Sequence, residues 1–267
     1  MTQDFSLCSN SQVLANNEAH LWVIHQRSSY DDAIYEACSA IVSAQEKQRI
    51  LEFRSDKRKR QYLLSRGALR HILSYYQPET HPRDIALSIN EFGKPIFYET
   101  SNPIRFNLSH SNDTIIVGVS YGCDIGVDIE YIRKERSFSE IEKAYFHPKE
   151  CAEIRHNGYD ADEMRRRFYK VWTLKEAFYK VHGKGVTISP SDFYFERQHE
   201  TYNIILKDEQ EDASVYASSL QFWQTYFDTD YSIAVALDKT KRNLQATETN
   251  EQLKVTLKTF ALDTMLV

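Results

Sequence analysis

The sequence predicts an α+β fold made of two similar α/β halves in one chain, with a cleft between them. Two periodicities and one repeat predict it. Over 43–76, Ile50, Phe53, Tyr62, Leu63, Leu69, Ile72 and Leu73 recur at three- and four-residue intervals with charges between them, the pattern of an amphipathic helix. Short runs of β-formers bounded by turn residues follow it. The same order, helix, Gly-Lys turn, strands and hairpin, then runs again from Ser139, with Gly93-Lys94-Pro95 and Gly183-Lys184-Gly185 at corresponding places. The halves divide as 1–121 and 122–267. Clefts between lobes are common ligand sites.

Taken in order, 1–19 is a loose lead-in and 20–26 (HLWVIHQ) a first strand. The helix over 43–76 ends at Pro78 and Pro82, which cannot continue it. Strands are expected at 85–90, 95–98, 104–109, 114–121 and 125–129, with Ser111-Asn112-Asp113 as a hairpin turn. The second helical region covers 139–182 and breaks near Asn157-Gly158. Strands return at 192–196, 202–206, 220–227 and 231–237, the last two joined by Asp228-Thr229-Asp230. A polar stretch over 239–252 reads as a loop before a final strand at 253–260.

Composition narrows the function classes. The chain has 267 residues, 42% of them hydrophobic and 27% charged, which is ordinary for a globular protein. With 33 basic and 38 acidic side chains the net charge is −5, against a general nucleic-acid binder, which wants a basic face. No run approaches eighteen apolar residues, so no membrane span is expected. The polar N-terminus lacks a secretory pattern, and Cys8, Cys38, Cys123 and Cys151 form no CxxC pair. A cytoplasmic protein with free thiols is expected. There are only 8 glycines, about half the roughly 7% of an average protein.

Four constellations carry chemistry. In Gly126-Val127-Asp128-Ile129-Glu130, residues two apart share a strand face, so Asp128 and Glu130 project together. Paired carboxylates suit a hard divalent ion such as Mg²⁺ beside substrate phosphates; taken alone, the pair also suits a solvated face. In Trp172-Thr173-Leu174-Lys175-Glu176-Ala177-Phe178-Tyr179-Lys180, Trp172, Glu176 and Lys180 lie on one helix face. A Glu and Lys four apart are commonly a surface pair, but the surrounding aromatics favour partial burial, which calls for a metal or phosphate partner. Phe106-Asn107-Leu108-Ser109-His110-Ser111 ends a strand with several donors fit for a phosphate. Finally, Lys47, Arg49, Arg54, Lys57, Arg58, Lys59 and Arg60 stand against only Glu52 and Asp56, a local excess that suits a polyanion or a solvated helix. No P-loop, dinucleotide fingerprint or G-x-S-x-G elbow is present.

Read in order, G-K-P, F-N-L-S-H-S, G-V-D-I-E and W-T-L-K-E-A-F-Y-K followed by G-K-G resemble the 4′-phosphopantetheinyl transferases, in their longer, surfactin-type branch, a single-chain pseudo-dimer. Ser65-Arg66-Gly67-Ala68-Leu69-Arg70 extends the likeness. The resemblance implies the 4′-phosphopantetheinyl transferase fold, with the active site between the halves. It implies transfer of the phosphopantetheine arm of coenzyme A to a serine of an apo acyl or peptidyl carrier protein, releasing adenosine 3′,5′-bisphosphate. Asp128, Glu130 and Glu176 would hold Mg²⁺. Glu176 would activate the acceptor serine, and Lys180 would assist the departing phosphate. Lys94, Ser109 and His110 would contact coenzyme A, with His110, Lys47 and Arg49 at its 3′-phosphate, and Glu150 would be supportive. A monomer is expected, with its carrier recognised through 138–167. Two other classes compete: an inactive coenzyme A- or carrier-binding module of the same fold, and a two-carboxylate nuclease or phosphatase. Intact Asp128, Glu130, Glu176 and Lys180 argue against the first, and net charge and the lack of further ligands against the second.

Overall fold

Alternation along β1 (Glu18–His25) decides how the chain packs. Leu21 and Val23 point to one face of the strand, Trp22 and Ile24 to the other, and all four are buried. A strand apolar on both sides must be covered on both sides, and here a second sheet covers one face and helices the other. The structure, a computed structural model, describes residues 12–15, 18–25, 32–91, 93–99, 101–134, 138–182, 188–207, 217–240 and 254–266.

Three helices precede the first hairpin: α1 (Asp32–Ile41), α2 (Ala44–Glu52) and α3 (Asp56–Ser74). A capping box starts α2, with the Ser43 hydroxyl accepting from Glu46 N and the Glu46 carboxylate accepting from Ser43 N. The single helix expected over 43–76 is therefore two, parted at Phe53–Ser55, and α1 lies where no helix is expected. Strands β2 (Leu87–Ile89) and β3 (Pro95–Phe97) form a small sheet of their own. They lead to β4 (Ile104–Ser111), β5 (Thr114–Tyr121) and β6 (Asp124–Tyr131).

The second helical region is α4 (Ser139–Tyr145), α5 (Pro148–Ile154) and α6 (Ala161–His182), with Pro148 adding a break before the one at Gly158. It is followed by β7 (Phe193–Gln198), β8 (Thr201–Leu206), β9 (Leu220–Phe227), β10 (Tyr231–Asp238) and β11 (Lys254–Thr259). The β4–β5 and β9–β10 turns carry the positive φ angles of tight hairpins, at Asn112, Asp228 and Thr229. Gly183 and Gly185 lie outside the described residues, as do Cys8, most of 1–19 and most of 239–252.

The first sheet runs β11-β1-β5-β4 and the second β6-β10-β9-β8-β7. Their connectivity repeats. Strand β1 pairs antiparallel with β5 and β5 with β4; likewise β6 pairs with β10 and β10 with β9. The corresponding strands β1/β5 and β6/β10 face each other across one shared core of Leu21, Val23, Ile116, Val127, Ile129, Ile233 and Val235. The outer face of the first sheet packs on α1 and α3, and that of the second on α6. The result is helix, sheet, sheet, helix, with a pseudo-two-fold through the middle. One element departs from the 1–121 and 122–267 division: β11 pairs parallel with β1, and Phe260, Leu262 and Met265 join the core beneath α3. No helix among the described residues is long and apolar enough to cross a membrane.

Candidate active site

Helix α6 lies along β6, and their repeats match. Four residues of helix advance about 6 Å and two residues of strand about 6.6 Å. Trp172, Glu176 and Lys180 can thus stay opposite Asp128 and Glu130 over two helical turns. Trp172 lies beside Glu130 and favours its charged form, and Lys180 Nζ pairs with Asp128 Oδ1 at 2.5 Å. The close approach depends on Gly126. A Cβ there would sit 2.2 Å from the Ala177 carbonyl oxygen and 2.4 Å from Val181 N, so only glycine lets the helix end reach the strand.

The first half supplies the third wall. Strands β4 and β6 are edge strands of different sheets, joined by side chains rather than a backbone ladder. Asn107 Oδ1 accepts from Val127 N (2.9 Å), Ser109 Oγ donates to Asp128 Oδ1 (2.9 Å), and Ser111 Oγ donates to Glu130 Oε2 (2.8 Å) while accepting from Tyr131 N (3.0 Å). Lys180 Nζ also donates to Ser109 Oγ at 2.9 Å. The F-N-L-S-H-S motif is therefore the seam of the two halves, and its alternate residues hold the carboxylates. The remaining parity turns His110 outward, where it is exposed.

Electrostatics set the carboxylates apart from ordinary ones. Burial first, then the charge of Asp128, pushes the Glu130 carboxyl above its usual range, against the Ser111 bond and Lys180. Burial likewise raises Glu176, with Asp128 and Glu130 adding to it and Lys180 opposing. Asp128 Oδ2 is buried and has no hydrogen-bond partner. Such an orphaned oxygen is costly unless something cationic completes it. These are hard oxygen donors of the kind a divalent ion takes, so the residues fit Mg²⁺ chemically. As they stand, no three His, Cys, Asp or Glu side chains among the described residues are gathered to hold a metal ion. Lys180 and the two serines occupy part of that donor set.

Not every expected residue reaches this point. Lys94 Nζ donates to the carbonyls of Lys180 (2.8 Å), Ile125 (3.2 Å) and Val181 (3.5 Å), so its side chain ties the G-K-P turn to the end of α6 instead of reaching outward to a ligand. Lys47 and Arg49 lie exposed on α2, and Arg49 pairs with Glu52 and covers Phe53. The protein bulk around His110, then the charges of Lys180 and Arg58, depress its pKa. Arg58, in the basic run but not singled out by it, is thus a cation acting on that histidine. Lys175 turns away from the site altogether. It is buried against Glu150 (2.9 Å) and the Pro190 and Phe193 carbonyls, which accounts for Glu150 as well. Glu176 also borders an apolar cavity of about 430 Å³ with Tyr145, Trp172 and Tyr179.

Comparison with known proteins bears on this geometry. The family model described as the 4′-phosphopantetheinyl transferase superfamily matches residues 124–236. That described as 4′-phosphopantetheinyl transferase, N-terminal, matches 29–121. The chain is 30% identical over 175 residues to the 4′-phosphopantetheinyl transferase HetI of Nostoc sp., covering 65% of this chain and 72% of that protein. It is 30% identical over 162 residues to the 4′-phosphopantetheinyl transferase Sfp of Bacillus subtilis, covering 60% and 68%. The crystal structure of holo-[acyl-carrier-protein] synthase from Neisseria meningitidis superposes with a TM-score of 0.33 at 16% identity, over 43% of this chain and 96% of that one.

Proposed function

The chain belongs to the 4′-phosphopantetheinyl transferase superfamily and is an enzyme of that kind, and from that premise we propose that it moves the phosphopantetheine arm of coenzyme A onto a serine of an apo acyl or peptidyl carrier protein. The observation that carries this reading is the meeting of Asp128, Glu130, Glu176 and Lys180 at the seam of the two halves, with one carboxylate oxygen buried and unpartnered.

In the reaction, the serine oxygen forms a bond to the phosphorus that carries the pantetheine. The bond from that phosphorus to the bridging oxygen breaks, and adenosine 3′,5′-bisphosphate leaves. Glu176 takes the serine proton. Its raised pKa suits the task, because a base works best when its pKa approaches the working pH. Lys180 places a positive charge where the leaving phosphate gains negative charge. Ser109 and Ser111 fix Asp128 and Glu130. Mg²⁺, held by Asp128, Glu130 and Glu176, would supply neutralisation of the pyrophosphate charge. Ser109, His110 and the backbone of the G-K-P turn would border coenzyme A, with His110 and Arg58 at its 3′-phosphate side. The 138–167 stretch, through which the carrier is expected to dock, brings Tyr145 to the cavity that Glu176 borders.

The test is the mass of apo carrier proteins incubated with coenzyme A and Mg²⁺. Wild type is expected to add the arm, and Asp128→Asn and Glu176→Gln are expected to slow the addition by about 10² or more while keeping the wild-type circular dichroism. Undiminished labelling by both variants would overturn the site. Binding of coenzyme A by wild type with no transfer to any carrier would favour the inactive module instead.

A further inference from the structure

Beyond Ser111 the seam continues. Strand β4 holds β6 through the side chains of Asn107, Ser109 and Ser111, and Ser111 is the last residue before the β4–β5 turn. Backbone next to a turn opens more readily than the middle of a strand. Left to itself, Ser111 would be the loosest of the three links, and Glu130 the loosest carboxylate. The chain reverses at Asn112, with φ +52°, and the next residue, Asp113, reaches the second half. Its Oδ1 accepts from Tyr231 Oη. Asn112 Nδ2 donates to the same oxygen at 3.1 Å, and Gln61 Nε2 on α3 donates to the Asn112 carbonyl at 3.3 Å.

Tyr231 is a rigid anchor for that carboxylate. It opens β10 opposite Tyr131, the residue after Glu130. It is buried, at 5% exposure, and its ring meets that of Tyr131 edge-on at 5.3 Å. The phenol is therefore a fixed donor, and a hydrogen bond to a carboxylate is about twice as strong as one between neutral groups. A second tie runs beside it. His25 Nε2 on β1 lies 3.6 Å from Asp228 Oδ2 in the β9–β10 turn, and the His25 ring stacks on Phe227 at 5.3 Å. That pair is open to solvent at both ends, and exposed ion pairs contribute ~1 kcal/mol or less. The Tyr231 bond is the main fastening of the two hairpins.

We propose that Asp113 and Tyr231 are positioning residues of the transfer site: their bond clasps the β4–β5 hairpin to the second half and so keeps Ser111 on Glu130. The inference rests on the function proposed above, in which Glu130 is one of the carboxylates at work. The structure also supplies a reporter that needs no ligand. The Ser111 hydroxyl accepts from Tyr131 N at 3.0 Å, whereas Val127 N, farther from the turn, is held by Asn107 at 2.9 Å.

Amide hydrogen exchange of the ligand-free protein, followed by NMR, tests the clasp. Tyr231→Phe removes only the hydroxyl. It is expected to speed exchange at Tyr131 about tenfold or more, the range for a hydrogen bond to a charged group, and to leave Val127 at its wild-type rate. In carrier labelling the same variant is expected to lose about fivefold in kcat, short of the ~10–100-fold for a direct partner of a metal ligand, with little change in the KM for coenzyme A. Asp113→Ala is expected to match it, and Asp113→Asn, which keeps an acceptor, to recover most of the loss. In a Ser111→Ala background Tyr231→Phe is expected to cost nothing further, because it acts through Ser111. Equal acceleration at Val127 and Tyr131, wild-type kcat despite faster Tyr131 exchange, or additive losses with Ser111→Ala would each overturn the proposal. If wild type labels no carrier, faster Tyr131 exchange in Tyr231→Phe upholds the fastening and refutes the transferase reading. Labelling by wild type with Tyr131 exchange unaltered in Tyr231→Phe does the reverse.

Discussion

Lys94 and His20 show how much one side chain's surroundings decide. The G-K-P motif suggests a lysine reaching for a ligand, but two of the carbonyls Lys94 holds belong to the last turn of α6, where the unsatisfied C=O groups attract a cation. His20 lies in β1, on the same face as Trp22, with Nδ1 2.7 Å from Tyr76 Oη, and Trp22 Nε1 donates to the same oxygen at 2.8 Å. Burial, then the charge of Lys258, pulls the pKa of His20 from 6.5 to about 4, against Glu18 at 3.6 Å, with Lys254 pushing the same way as Lys258. The native state therefore holds His20 neutral where the unfolded chain protonates it. Between about pH 4 and 6.5 the unfolded state binds the extra proton, so stability rises with pH through that window and is complete above it. The contribution is about 3 kcal/mol at most. Urea melts at pH 7 and pH 4.5 should show a smaller acid loss in His20→Gln than in wild type; equal losses would remove His20 from the acid response.

At the scale of elements, the strands were the most legible part of the chain. Both hairpins fall where the alternating runs and their Asn and Asp turns put them, because a tight turn and a two-residue period are local properties. Helix α1 was not legible although Ile34, Ala37, Cys38 and Ile41 fall at helical spacing, since ten residues are too few to hold a helix alone and α1 gains its stability from packing on α3. The break at Phe53–Ser55 hid behind a hydrophobic pattern that continues across it. Asp128 and Glu130 could be read from strand parity and the face of Trp172, Glu176 and Lys180 from helical spacing; that the two faces meet could not. Gly126 is where that meeting is decided. Gly126→Ala forces β6 and α6 apart, at about 1–3 kcal/mol for overpacking, and moves Asp128 away from Lys180. We expect a Tm lowered by several degrees together with a loss of carrier labelling out of proportion to it, measured on protein still folded at the assay temperature. Full labelling at wild-type rate would mean the helix and strand tolerate the separation.

For the whole molecule, the least legible feature is the place of the last strand. Nothing in the composition of 253–260 announces that it pairs with β1, whose sequence lies almost a full chain length away; only the completed sheet leaves β1 an edge to fill. Once there, β11 and the 3₁₀ turn at Leu262–Leu266 close the first half from outside. Phe260 packs against Trp22, Tyr75 and His71, and Met265 reaches Cys38 on α1. The buried side chains of Phe260, Leu262 and Met265 each contribute about 1.5–3 kcal/mol, a sum comparable with the ~5–15 kcal/mol by which a domain is stable. Strand β1 in turn supports β5 and, through it, the strand that carries Ser109 and Ser111, so the seam of the active site depends on the end of the chain. A chain ending at Thr240 is expected to lose its cooperative thermal transition and bind a hydrophobic dye, while Phe260→Ala, costing about 3–5 kcal/mol, is expected to stay folded with a lowered Tm. If the shortened chain melts within a few degrees of the full one, β11 is an accessory to the first sheet and the core closes without it.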